Sequence, residues 1–187
     1  MMEEKERPWK TVSSKYLFRY PWLTVRCEEL LLPNGNHIPE YYILEYPDWV
    51  NTIALTKEGK FIMVRQYRPG IGRYCYELCA GVCEKEDSSP LESAQRELWE
   101  ETGYGKGNWQ EYMVISANPS THTNLTHCFL ATDVELIDHQ HLDATEDLTV
   151  HLLTLEEVKT LLENNEIMQA LNAAPLWKYM ANICIHK

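Results

Sequence analysis

Runs of apolar residues and short polar turn sequences follow one another through the first half of the chain, which is typical of β-strands. Branched and aromatic side chains dominate five runs, and turn-forming sequences such as Asn34-Gly35 and Lys57-Glu58-Gly59 separate them. Runs of this kind, bounded by Gly, Pro and Asn, are typical of strands and hairpins. The predicted strands comprise residues 23–32, 38–46, 51–56, 60–67 and 74–80.

The apolar spacing changes to a helical period after residue 88. Ser89 is a suitable N-cap, Pro90 fits the first helical position, and Glu92 occupies the capping-box position. Helical periodicity continues to Thr102, and Gly103 is typical of a residue that ends a helix. The sequence therefore predicts a helix over residues 90–102.

The rest of the chain mixes strand and helix patterns. Thr154 and Glu157 form a second capping box that opens a helix to about Asn164, and apolar periodicity over residues 168–183 predicts a closing helix. Strands and helices in this order indicate an α/β sandwich. The remaining predicted strands comprise residues 113–117, 126–134 and 148–153.

Length and composition favour one domain over residues 1–187. The chain is long enough to bury a core and has no repeat or long linker. No apolar run is long enough to span a bilayer, and residues 1–10 lack the apolar core of a signal peptide. Three of the six cysteines are spaced by four residues, not by the two typical of zinc sites, which favours free thiols in a reducing compartment. We therefore expect a cytoplasmic protein without a membrane segment.

The formal net charge of −11 limits the classes of partner. Asp and Glu outnumber Lys and Arg by 28 to 17, whereas binding to a phosphate backbone needs a basic face. We therefore expect no nucleic-acid partner. An anionic small molecule remains possible if clustered carboxylates hold a divalent cation that reverses the local charge.

The helix predicted over residues 90–102 carries such a cluster. Glu97 and Glu101 stand one turn apart on one face, and Glu100 lies beside them. Carboxylate oxygens in this number suit Mg²⁺ or Mn²⁺. The alternative is a solvated acidic surface in which Arg96 pairs with Glu100 at helical spacing.

Residues 96–104, with the sequence Arg-Glu-Leu-Trp-Glu-Glu-Thr-Gly-Tyr, closely resemble the second half of the Nudix box. That pattern is G, five residues, E, seven residues, then R-E-U-x-E-E-x-G-U, where U is a bulky apolar residue. The first half departs from it, because counting back from Arg96 places Val82 at the glycine and Ser88 at the first glutamate. Gly81 fits if the loop contains one extra residue, and Glu86 is then the expected substitute for that glutamate. The box would span about residues 81–104.

The resemblance extends to the ADP-ribose pyrophosphatase subfamily. Residues 64–69 (Val-Arg-Gln-Tyr-Arg-Pro) and 77–81 (Glu-Leu-Cys-Ala-Gly) are similar to that subfamily, as is a proline sixteen residues after Gly103, at Pro119. Residues 145–151 resemble the acidic loop and strand that supply a catalytic glutamate. The resemblance implies a Nudix-type α/β/α sandwich with a mixed sheet.

The resemblance also implies roles for individual residues. Glu146 would be the base that activates water, with Asp147 and Asp143 as alternatives in the same loop and Glu100 as the alternative within the box. The metal ligands would be Ala80 through its carbonyl, Glu97, Glu100 and Glu101. The substrate-binding residues would be Arg65, Arg68, Pro119 and Trp49. The supporting residues would be Arg96, Gly81 and Gly103.

The activity expected from this resemblance is hydrolysis of the pyrophosphate of a nucleoside diphosphate derivative with Mg²⁺ or Mn²⁺. ADP-ribose is the preferred substrate, with AMP and ribose 5-phosphate as products. The alternatives are a Nudix hydrolase acting on a nucleoside triphosphate such as CTP, NADH or a nucleotide sugar, and a non-catalytic ADP-ribose sensor. The subfamily also implies a homodimer, in which the N-terminal strands of about residues 15–50 take part.

Overall fold

The computed structural model describes residues 6–185, with side chains described up to residue 183. Two compact units divide the chain. One contains the N-terminal residues to Tyr46 together with residues 118–124, and the other contains residues 47–117 and 125 onward. None of the helices in the described residues is long and apolar enough to cross a membrane.

The N-terminal unit is an antiparallel sheet of three strands in sequence order, β1 (Lys10–Tyr20), β2 (Leu23–Leu31) and β3 (His37–Glu45). Residues 118–124 add to it, because Leu44 donates to the carbonyl of Thr121 and accepts from the amide of Thr123. The sequence pattern did not predict β1. Every residue of this strand is exposed, so no buried face imposes an apolar alternation on it.

The larger unit is built on a mixed sheet of eight strands. The strands are β4 (Trp49–Thr56), β5 (Phe61–Arg68), β6 (Arg73–Glu77), β7 (Cys79–Val82), β8 (Tyr104–Gly105), β9 (Asn108–Ile115), β10 (Thr126–Leu136) and β11 (Leu148–Leu153). The main path of the sheet runs β11-β5-β4-β10-β8, while β6 pairs with β5, β7 with β4 and β9 with β10. The β4–β10 pair is parallel and the other pairs are antiparallel.

Helices cover both faces of this sheet. Helix α1 (Pro90–Thr102) packs through Leu98 in a cluster with Ala54 and Ile62, whereas α2 (Leu155–Glu163) and α3 (Ala170–Ile185) pack in a separate cluster with Ile53 and Leu55. Successive residues of β4 therefore point to opposite helical layers, as the pleat of a strand requires. This arrangement confirms the predicted α/β/α sandwich with a mixed sheet.

Helix boundaries follow the predicted capping residues. The Ser89 hydroxyl accepts from the amide of Glu92, and Gly103 ends α1 in the left-handed region at φ +74°. Thr154 and Glu157 form the complete capping box at the start of α2. The predicted strand over residues 74–80 is instead two strands that separate at Leu78, because β6 pairs with β5 and β7 pairs with β4.

Candidate active site

Helix α1 presents the three glutamates of the predicted metal cluster above strand β7. Leu98 and Ala94 are fully buried against the sheet, which fixes the rotation of the helix. Glu101 is almost as buried, with 4% of its surface exposed, whereas the side chain of Glu100 is 32% exposed. The cluster therefore contains carboxylates in clearly different environments.

Arg96 connects two of these glutamates to the loop that follows β7. Its Nη1 lies 2.9 Å from a carboxylate oxygen of Glu97 and 2.9 Å from one of Glu100. Its Nη2 donates to the carbonyl of Val82 and to a carboxylate oxygen of Asp87, each at 3.0 Å. This geometry agrees with the predicted role of Arg96 in orienting the glutamates.

Asp87, and not Glu86, takes the place of the missing first glutamate. The Glu86 side chain is exposed, whereas Asp87 accepts from Arg96 and from the hydroxyl of Ser93 at 2.7 Å. Five residues separate Gly81 from Asp87, as the box requires, so the extra residue of the box lies between Asp87 and Arg96. The expectation for Glu86 was wrong because only four residues separate it from Gly81 and its side chain does not contact Arg96. The hydrogen bond to Arg96 keeps the pKa of the Asp87 carboxyl below its ordinary value.

The buried pair Glu97 and Glu101 lies against the backbone of β7. The Ala80 amide donates to Glu101 at 3.1 Å, and a Cβ added to Gly81 would lie 2.0 Å from the carboxyl carbon of Glu97. Burial raises the pKa of Glu101 well above its ordinary value, and the charge of Glu97 adds to the effect. Burial also raises the pKa of Glu97. Two carboxylates that share a partly dehydrated position fit a hard divalent cation with oxygen ligands.

Glu146, in the predicted base loop, carries a charge that acts on Glu101. The Glu146 carboxylate is among the groups that raise the pKa of Glu101. Its Oε2 accepts from the amide of Asp143 at 3.0 Å, and its own amide donates to the carbonyl of Asp143 at 2.9 Å. Glu146 and Asp143 are both exposed, so this short turn holds a solvated carboxylate near the buried ones.

A cleft of about 230 Å³ is lined in part by Ala80 and Gly81, whose backbone the buried glutamates contact. Trp49, Arg68, Ala80 and Gly81 line it, together with the start of α3. The Arg68 guanidinium also forms a two-pronged ion pair with Glu77, in which Nε lies 2.8 Å from Oε1 and Nη2 contacts Oε2. Glu77 is buried, and sequence reasoning gave it no role although it stands in the quoted motif.

Three other predicted residues are not among those that line this cleft. The Arg65 guanidinium stacks over the Tyr74 ring at 4.7 Å and does not line the cleft. Pro119 belongs to the loop that packs in the N-terminal unit. Gly103 stands where a Cβ would lie 2.2 Å from the carbonyl oxygen of Asp138, so a glycine at this position lets the following loop approach α1.

A second set of potential metal ligands follows strand β10. Asp138, His139 and His141 bring one ligand atom each within 4.8 Å of one another, and no other such trio occurs in the described part of the chain. The three glutamates of α1 do not reach this spacing, since Arg96 lies between Glu97 and Glu100. The sequence analysis did not identify this set, although Asp-His-x-His is a compact run of ligand types.

Comparison with known proteins gives the family. The model of the NUDIX domain matches residues 46–172, and the model of the nucleoside diphosphate sugar hydrolase N-terminal domain matches residues 9–44. The chain is 33% identical to an ADP-ribose pyrophosphatase of Bacillus subtilis, with 88% of each chain covered. It is 26% identical to an ADP-ribose pyrophosphatase of Mycobacterium tuberculosis, with 90% of this chain and 82% of that protein covered.

A solved structure supports the same fold. The crystal structure of an ADP compounds hydrolase superposes with a TM-score of 0.84 and covers 98% of both chains at 21% sequence identity. Nudix hydrolases generally use divalent metal ions, in agreement with the buried carboxylates of α1. The chain belongs to the Nudix hydrolase family.

Proposed function

We propose that this protein hydrolyses the pyrophosphate of ADP-ribose to AMP and ribose 5-phosphate with Mg²⁺ or Mn²⁺. The observation that carries the proposal is the buried Glu97–Glu101 pair on the backbone of Ala80 and Gly81, beside a cleft lined by Arg68. The family and the names of the two pyrophosphatase relatives support the substrate. The intact glutamates favour catalysis over a sensor that only binds the nucleotide.

The residues that would hold the metal ions are Glu97, Glu100, Glu101 and the carbonyl of Ala80. Bound divalent cations neutralise charge on the phosphoryl oxygens and lower the pKa of water. Arg96 would keep Glu97 and Glu100 oriented, because its guanidinium contacts both carboxylates and is itself held by Asp87. Arg68 would place positive charge at the edge of the cleft, where an anionic diphosphate enters.

Glu146 would remove the proton from the attacking water. The water oxygen forms a bond to one phosphorus, the bond from that phosphorus to the bridging oxygen breaks, and the bridging oxygen leaves on the other phosphate. The proton passes to the Glu146 carboxylate, which is solvated and therefore able to release it again. Asp143 and Asp147 remain alternative bases in the same loop, and Glu100 is the alternative on α1.

The substrate assignment is tested by a panel containing ADP-ribose, ADP-glucose, NADH, ATP and CTP. ADP-glucose is included because the N-terminal residues match a nucleoside diphosphate sugar hydrolase domain. We expect kcat/KM to be highest for ADP-ribose. A hundredfold preference for a triphosphate, which corresponds to about 2.7 kcal/mol of transition-state binding, would contradict the substrate while leaving the family intact.

The metal requirement is tested with chelator and with a variant of the buried pair. Activity should vanish in EDTA and return with Mg²⁺ or Mn²⁺. Glu101→Gln should weaken metal binding and lower kcat together, since it removes a ligand charge and keeps the shape. Full turnover in EDTA would contradict a metal-dependent mechanism.

A homodimer is proposed from the N-terminal unit. Eight large apolar residues between positions 9 and 23 are each more than 40% exposed, and large exposed apolar surfaces commonly mark interfaces between proteins. A second copy would cover part of this apolar surface, so Phe18→Glu should shift the mass measured by light scattering toward the monomer. Ser14→Glu adds the same charge at a polar position of β1 and should leave the mass unchanged. A wild-type monomer at micromolar concentration would contradict this proposal.

A cytoplasmic location is proposed from the thiols. The five cysteines whose side chains are described are all free. Free thiols, most of them buried, are typical of proteins from reducing compartments.

A further inference from the structure

Asp138, His139 and His141 form a cluster of nitrogen and oxygen ligands outside the carboxylate cluster of α1. The Asp138 carboxylate contacts both imidazoles, with Oδ1 2.7 Å from Nδ1 of His139 and Oδ2 3.0 Å from Nε2 of His141. The two rings lie 4.3 Å apart between centroids. One ligand atom from each residue therefore already lies within the span of a single coordination sphere.

The cluster is held on the C-terminal end of α1. The amide of His141 donates to the carbonyl of Glu100 at 2.8 Å, and the Asp138 amide donates to the carbonyl of Gly103 at 3.1 Å. The Gln140 side chain donates to the carbonyl of Glu101 at 2.8 Å. These bonds satisfy carbonyls that a helix end otherwise leaves unpaired, and they fix the backbone that carries the ligands.

Two further features favour a cation at this position. The last turn of α1 has no basic residue, so its negative dipole end is not balanced by the chain. Trp99 stacks on the His141 ring, with centroids 4.2 Å apart and planes 28° apart, which limits the rotation of the ligand. His139 is 79% exposed and Asp138 is 38% exposed, so an ion can enter from solvent.

We infer that Asp138, His139 and His141 bind a transition-metal ion such as Zn²⁺ or Ni²⁺ at a site separate from the catalytic one. Imidazole nitrogens suit these ions, whereas Mg²⁺ prefers an all-oxygen shell, so the two sites select different metals. Three protein ligands leave positions for water, which makes the ion exchangeable. Each imidazole would bind the ion through an unprotonated ring nitrogen.

The site has a structural consequence for the loop over residues 137–147. Its ligands lie at the beginning of this loop, and Glu146 lies at its end. An ion that joins residues 138, 139 and 141 restrains the first part of the loop on α1. Activity could therefore respond to the ion, but binding itself does not depend on the proposed function.

The experiment is titration of the full chain with Ni²⁺ in the presence of saturating Mg²⁺, followed by calorimetry and tryptophan fluorescence. We expect one Ni²⁺ per chain with a Kd below about 100 μM, and quenching of Trp99 because it stacks on a ligand ring. The double variant His139→Asn with His141→Asn should lose both the heat of binding and the fluorescence quenching. Trp99→Phe should lose most of the quenching but keep the heat of binding. His151→Asn, which removes an imidazole elsewhere, is the matched control and should keep both.

A variant of the glutamate cluster of α1 distinguishes the inferred site from the proposed catalytic site. Glu101→Gln should bind Ni²⁺ as the wild type does, because Glu101 is not a ligand of the inferred site. Loss of Ni²⁺ binding in Glu101→Gln, or unchanged binding in the double histidine variant, would place the ion elsewhere and overturn the inference. Absence of binding up to 1 mM Ni²⁺ would overturn it as well.

Discussion

Removal of Arg68 should destabilise the protein more than removal of its partner Glu77. The two side chains form a two-pronged ion pair between the end of β5 and the end of β6. Only 2% of the Glu77 side chain is exposed, compared with 43% of Arg68. Arg68→Met therefore leaves a carboxylate buried without its main partner, and Gln66 at 3.4 Å is the remaining side-chain donor. Glu77→Gln leaves a guanidinium that still reaches water.

The asymmetry in burial gives the expected magnitudes. Breaking a buried pair so that one charge is left uncompensated costs about 3–5 kcal/mol. Loss of a charge-assisted hydrogen bond whose remaining partner is solvated costs about 1–2 kcal/mol. For a chain of this length each kcal/mol lowers Tm by about 2–4 °C. We therefore expect Arg68→Met to lower Tm by about 6–20 °C and Glu77→Gln by only a few degrees.

Chemical denaturation of the metal-free protein measures these differences directly. The double variant Arg68→Met with Glu77→Leu should be more stable than Arg68→Met alone, because no charge remains buried. Arg68→Lys, which keeps the charge and loses the two-pronged geometry, should lie between wild type and Arg68→Met. The reasoning would be refuted by equal losses of stability in Arg68→Met and Glu77→Gln, or by a double variant that is less stable than Arg68→Met.

Three further variants test the site and its surroundings. Glu146→Gln keeps the size and reach of the side chain but cannot accept a proton, so kcat should fall by about two to four orders of magnitude while the substrate Kd stays unchanged. If Asp143→Asn lowers kcat instead, the base is Asp143 and not Glu146. Gly81→Ala places a Cβ 2.0 Å from the Glu97 carboxyl carbon, which must then move. The affinity for Mn²⁺, measured by spin-resonance titration, should therefore fall by about 10- to 100-fold. An unchanged affinity would exclude Glu97 as a ligand. Thr126→Val removes a buried hydroxyl that has no hydrogen-bond partner in the described structure, so Tm should stay equal or rise by a few degrees; a fall would reveal a structural role.

The parts of the fold with strong local signals could be predicted from the sequence. Helix α1 begins and ends where Ser89, Pro90 and Gly103 indicate, because capping depends on residues that are neighbours in the chain. Strand β1 could not be predicted in the same way. Its pairing with β2 is set by distant partners, and its exposed side chains follow no apolar period.

The same difference between local and distant contacts decides which parts of the candidate site could be predicted. The glutamates of α1 were identified because helical spacing alone brings them together. The ion pair of Arg68 with Glu77 depends on the pairing of β5 with β6, in which Arg68 lies opposite Arg73 and Glu77 opposite Val64. Strand register therefore does not place these two residues opposite each other, and only the side-chain conformations join them. The sequence analysis missed Asp87 because the extra residue of the box lies in a segment where no periodicity shows its position.

The close approach of Gly81 to Glu97 has a consequence for how this sequence can diverge. Any larger residue at position 81 requires that the carboxylate at position 97 move away, and that movement would displace a proposed metal ligand. The two positions are therefore expected to vary together or not at all. The loop between them is under no such restriction, since Asp87 is tied to Arg96 only through flexible side chains. An added residue is thus tolerated after Asp87, whereas one inserted between Ala80 and Gly81 would be eliminated by selection.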